Sequence, residues 1–174
     1  MLLDGVSSDA LAESLMPALL AAGRPAVRVR AGDFLHPAGE RYEDGREDAE
    51  ALRTRWLDAA ALEREVLRPA VSGSFLPALW DAERNRSARR AVEPLPPQAV
   101  VLVDGLFLLG RGLPAELTVH LALSAAALRR RGVPDWQLPA FVDHDALVRP
   151  GEICDVLVRA EDPARPAVLV RPVS

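Results

Sequence analysis

Three short stretches carry residue types able to do chemistry. They are Asp4 to Asp9 (Asp-Gly-Val-Ser-Ser-Asp), Asp104-Gly105, and Arg129-Arg130-Arg131-Gly132. In the first, a turn leads into a helical pattern. Its free N–H groups and the positive end of the helix dipole suit an anion. Gly5, Ser7 and Ser8 are the residues such a turn would use. Asp9 works against an anion there, because its own carboxylate suits the same position, and the plain alternative is a helix-capping Asp-Ser turn. The three arginines match phosphate geometry. Equally, they suit the C-terminus of a helix, where a cation meets the dipole.

Other candidates have simpler readings. The run Arg84, Arg86, Arg89, Arg90 has no interleaved aromatics and reads as a solvated loop rather than a nucleic-acid site. Asp143-His144-Asp145 lacks the distant third ligand that a metal site needs. His120 alternates inside an apolar strand as a core or interface histidine, and Cys154 is a small buried hydrophobe. No Ser-His-Asp or Cys-His arrangement appears at a suggestive spacing. All 21 basic residues are arginine, so any mechanism that needs a lysine ammonium is excluded.

The elements that must position these residues follow from pattern. With 174 residues, 49% apolar and 26% charged, the chain fits one globular domain. No apolar run has the ~18 residues of a membrane span. No signal-peptide pattern is present and the lone cysteine suits a reducing compartment, so a cytoplasmic protein is expected. A net charge of −4 gives no general reason to bind nucleic acid. Leu2-Leu3 reads as a strand stub, with Met1 inside the expected strand, so that the strand is either unusually short or clipped at its start, and the following helix ends at Gly23. Residues 26–30 alternate as a strand, 37–48 form a loop, and 49–67 form a helix closed by Pro69. Residues 70–98 are mostly irregular. Val100 to Asp104 is the continuous apolar run of a strand buried on both faces. Thr118 to Leu123, Asp155 to Arg159 and Ala167 to Val170 are further strands. Strands alternating with helices predict an α/β, doubly wound parallel sheet of about five strands. In such sheets ligands sit beyond the carboxyl ends of the strands, with the first turn as the usual phosphate site.

Taken in order along the chain, these residues resemble the uridine kinase family and its phosphoribulokinase-like relatives among the P-loop kinases. The likeness rests on the first turn, on Gly23-Arg24-Pro25, and on Asp33-Phe34-Leu35-His36-Pro37. It continues through Arg41-Tyr42, Gly45-Arg46, Leu79-Trp80-Asp81, and the run Val101 to Leu109 with its central Asp104-Gly105. Pro150, Asp155 to Arg159 and Asp162-Pro163 complete it. The resemblance implies a magnesium-water position at Asp104, a general base near Asp33, and a nucleoside pocket around Asp33, Phe34, Trp80, Asp81 and Arg86. It also puts phosphates near Gly5, Ser7, Ser8 and Arg129 to Arg131, Asn85 where a histidine is expected, and Glu47 and Asp48 near the sugar hydroxyls.

The departures matter as much. The family's phosphate loop carries Gly-Lys-Ser/Thr, whereas Ala10, Leu11 and Ala12 stand here. One such lysine contact, at ~4 Å and an effective dielectric of ~20, is worth ~4 kcal/mol, or ~1000-fold in rate. Gly32 stands where the base is expected, with Asp33 one place later, where it serves as a substitute base or as a solvated loop acid. The lid that carries arginines in the family is cut short between Arg131 and Trp136. The leading expectation is therefore a uridine-kinase-like binding or regulatory module with impaired phosphotransfer, taking a nucleoside-like small molecule. The alternative is an active kinase that uses ATP, Asp104-bound magnesium and arginines 129 to 131. A third reading is a ligand-free scaffold or oligomer surface.

Overall fold

The computed structural model describes residues 1–162 and 165–171, so Pro163 of the family-like segment lies outside the described residues. A six-stranded sheet forms the centre. It comprises β1 (Leu2–Asp4), β2 (Ala26–Arg30), β3 (Val100–Gly105), β4 (Thr118–Ala122), β5 (Val156–Arg159) and β6 (Ala167–Val170), in the order β6-β5-β4-β1-β3-β2. Five strands are parallel, and β6 adds an antiparallel edge. The sequence marks all six segments, Ala167 to Val170 among them, against an expected total of about five; what its pattern does not show is that this last, fully exposed strand runs antiparallel.

Side-chain alternation sorts the sheet into two faces. Leu3, Leu102, Val119 and Leu121 pack with Ala12 of helix α1 (Ser8–Ala21). Leu2, Val29 and Val103 pack on the opposite face with Phe34, Leu57, Leu62 and Val66. The parity has a chemical consequence. Arg28 pairs in register with Leu102, and Arg30 with Asp104, so all four lie on the α1 face near the carboxyl ends of the strands.

The segment expected as one helix over 49–67 is broken. Helix α2 (Ala49–Thr54) ends, Leu57 bridges to Leu35, and Asp58 caps a new helix by accepting from Ala61 N–H at 2.8 Å. That second helix widens into a π turn over Glu63–Leu67 and passes Pro69 to end at Ala70. The carbonyl of Glu65, which an N–H at position 69 would engage in a regular helix, instead accepts from Leu76 N–H at 2.9 Å, so the missing N–H of Pro69 leaves that acceptor paired. The expected loop over 37–48 contains a short helix, Ala38–Arg41. The irregular 70–98 region is pinned by two two-residue ladders, Ser74–Phe75 with Glu93–Pro94 and Trp80–Asp81 with Arg86–Ser87. Helix α3 (Ala125–Arg130) is followed by Gly132 in the left-handed region and then by helix α4 (Leu138–Leu147). Among the described residues, no helix is long and apolar enough to cross a membrane.

Candidate functional site

The turn after β1 is short. Gly5 donates to Gly105 O at 2.9 Å, and its φ of 116° suits glycine alone. A Cβ on Gly5 would lie 2.7 Å from the backbone oxygen of Leu121. Ser7 follows in a left-handed conformation (φ 68°), and α1 starts at Ser8, whose Oγ sits 3.5 Å from Gly105 O. Neither Ser7 nor Asp9 caps the helix through its side chain, which corrects the expected Asp-Ser cap. The left-handed backbone of Ser7 turns its hydroxyl toward Arg131 instead. Arg131 Nη1 donates to Ser7 Oγ at 2.7 Å and Nη2 to Ala160 O at 2.7 Å.

Asp104, next to last in β3, is 4% exposed, and both of its oxygens are held by Arg28. Nε donates to Oδ1 at 2.6 Å and Nη2 to Oδ2 at 2.9 Å, while Nη1 reaches Glu13 of α1 at 3.1 Å. The hydrogen bond to Asp104 outweighs desolvation and holds the Arg28 guanidinium above its ordinary range. The magnesium that the resemblance assigns to Asp104 does not fit these residues. The guanidinium fork takes one lone pair on each carboxylate oxygen and neutralises the charge, so a divalent cation at Asp104, direct or through water, would stand beside a fixed positive charge.

These groups line a cleft of about 630 Å³ beyond the carboxyl ends of β1, β2 and β3. Its charged residues are Asp9, Glu13 and Asp104 against Arg28, Arg30 and Arg131, so the wall has no excess of positive charge. Leu35, Leu52, Trp56, Leu57, Phe107 and Phe141 supply an apolar side. At the floor, a Cβ on Gly105 would come within 2.5 Å of Ala31 Cβ.

Arg28, Arg30 and Gly32 also border a second cleft of about 780 Å³. Asp33, Trp80, Asp81 and Arg90 line it. Asp33 pairs with Arg30 at 3.0 Å. It sits in a 3-10 turn, Ala31–Phe34, rather than in extended backbone. That turn sends Asp33 to the second cleft while Gly32 borders both. The indole N–H of Trp80 is buried and has no hydrogen-bond partner. Asp81 accepts from the backbone N–H of Arg84 at 3.0 Å, a bond that holds its carboxyl below the usual range.

Several expected site residues fall elsewhere. Phe34 is fully buried in the core, because the 3-10 turn points it beneath the sheet. Arg86 is exposed on its two-residue strand and borders neither cleft. Of the arginine triplet only Arg131 reaches the cleft. Arg129 pairs with Asp135 at 2.8 Å, and Arg130 lies 3.8 Å from Glu161. Asp48 caps α2 by accepting from Ala51 N–H at 2.7 Å, and Asn85 accepts from Ala38 N–H at 2.7 Å.

Arg28 is unmarked by spacing along the chain, and Asp4 is marked there only as the start of the first turn. A charge at the centre of a buried strand demands a partner, and that was the available signal. Asp4, 1% exposed, accepts from Leu108 N–H at 2.8 Å and lies 2.9 Å from His120 Nδ1. His144 Nε2, buried and without a hydrogen-bond partner, is 3.8 Å from Asp4. Burial works against charge on Asp4, but the two imidazoles and the Leu108 N–H outweigh it, so the carboxyl lies below the usual range. Next to His144, burial pushes the Asp145 carboxyl up. Among the described residues no three His, Cys, Asp or Glu side chains form a metal-ready group.

No family model matches the sequence, and no curated protein matches it. Solved structures do. A structure described as a possible uridine kinase from Bacillus stearothermophilus superposes with a TM-score of 0.74 at 17% identity, covering 90% of this chain and 85% of that one. Phosphoribulokinase from Rhodobacter spheroides gives 0.58 at 11% identity, covering 91% and 69%. The chain therefore has the fold of the uridine kinase and phosphoribulokinase-like P-loop kinases.

Proposed function

We propose that this chain is a uridine-kinase-like protein with impaired phosphotransfer. In this reading its paired clefts bind an uncharged, hydroxylated small molecule of the nucleoside class, and the protein acts as a binding or regulatory module. The observation that carries the reading is Arg131 on Ser7. Arg131, the cation nearest this turn in the cleft wall, spends Nη1 on Ser7 Oγ and Nη2 on Ala160 O, donors that a transferred phosphate would need, and no lysine exists to replace them. Phosphoryl transfer depends on positioning and on positive charge around the phosphates. A cleft with three acids against three arginines offers little of that to a nucleoside triphosphate.

The second cleft supplies what a nucleoside needs. Trp80 offers apolar aromatic surface, while Asp33 and Asp81 offer acceptors for hydroxyls. Thermal melting against a nucleoside panel and against ATP with magnesium tests this. A nucleoside should raise the melting temperature while ATP with magnesium does not. An ATP-dependent product from any nucleoside would overturn the reading in favour of an active kinase. A flat response to every compound would favour the scaffold.

A further inference from the structure

We propose that Arg28 is a resident cation that occupies Asp104 and closes this end of β3 to divalent metal. Parity places the two residues on one face of adjacent strands, two residues apart in register. The guanidinium fork takes both carboxylate oxygens, at 2.6 and 2.9 Å, and its remaining nitrogen is tied to Glu13 at 3.1 Å. The two side chains are 19% and 5% exposed, so water competes weakly for either partner. An arginine cannot give up its proton to make way for a metal. A metal ion at Asp104 would have either to share the carboxylate with the guanidinium, against its charge, or to break both bonds and stand beside the displaced cation. Glu13, an acid of the same cleft wall, is held by the same guanidinium. Ligand binding in the cleft then proceeds without magnesium; that consequence rests on the function proposed above, whereas the exclusion of metal does not.

The test uses Mn²⁺ alone, titrated into the full chain while the electron paramagnetic resonance signal of the free aquo ion is followed. The wild-type protein should leave that signal unchanged. Arg28→Gln and Arg28→Met, checked for folding by near-ultraviolet circular dichroism, should each gain one Mn²⁺ site. That site should be at least about tenfold tighter than any wild-type binding, a difference easily resolved by titration. Adding Asp104→Asn to Arg28→Gln should remove it. A wild-type Mn²⁺ site that Asp104→Asn abolishes would overturn the proposal without recourse to any Arg28 variant. So would folded Arg28 variants that bind no more Mn²⁺ than the wild type. No nucleoside enters these measurements, so failure of the ligand reading leaves their outcome unaffected.

Discussion

Arg131 and Ser7, 124 positions apart, meet across 2.7 Å and fasten the start of α1 to the segment after α3. Ser7 has no helix-capping bond of its own, so this contact is what its hydroxyl does. Arg131→Ala should lower stability by about 1 kcal/mol, as expected for a partly exposed hydrogen bond to a charged group. Ser7→Ala should cost less, because the second Arg131 bond, to Ala160, survives. In a denaturant double-mutant cycle the pair should couple by about 0.5 kcal/mol or more.

Asp4 sets an acid limit on the fold. Its carboxyl lies below the usual range in the folded chain, so the folded state binds that proton less tightly than the unfolded state does. The stability it contributes is present above about pH 4, the ordinary value, and is lost as pH falls through the lower folded value. Urea melts between neutral pH and pH 3 should show the loss, and Asp4→Asn should flatten it. At neutral pH the same substitution should cost about 3–5 kcal/mol, because a buried charge network loses its centre.

The Arg28–Asp104 pair should respond asymmetrically to single and double replacement. Arg28→Met alone strands a buried carboxylate and should cost about 3–5 kcal/mol, whereas Arg28→Met with Asp104→Leu should recover most of it. Chemical denaturation of the four proteins of the cycle reads this directly. Equal costs in the single and double variants would show that the pair does not behave as a buried unit.

Trp80 offers a spectroscopic handle on the proposed nucleoside pocket. Trp80 borders the second cleft, while Trp56 and Trp136 pack against each other with centroids 6.1 Å apart. A stacking nucleoside should quench tryptophan emission, and Trp80→Leu should abolish the quench. Loss of one stacked face should weaken binding by about 1–3 kcal/mol, the range for base–aromatic stacking.

The fold was legible because its signals are local. The apolar run from Val100 to Val103 ends at Asp104 and marks a central strand, and Gly23 marks the helix stop. The site was legible only in part. Gly5, Ser7, Ser8, Asp104 and Arg131 converge on one cleft, and Asp33, Trp80 and Asp81 on its neighbour. Phe34 and Arg86 do not, because one turn and one two-residue ladder decide where they face. The pairing of Arg28 with Asp104 spans 76 positions. It depends on strand order and register, which residue spacing along the chain does not encode.

The close approach of Gly105 to Ala31 carries a consequence for selectivity. The exits of β3 and β2 are spaced by a methyl group resting against bare backbone, so the cleft is gauged from its floor. Widening it means prising two hydrogen-bonded strands apart, which no exchange of rim side chains achieves. For any molecule seated there, the main chain would set the size limit, while Leu35, Trp56 and Arg131, which line the same cleft, could change which chemical groups are welcomed.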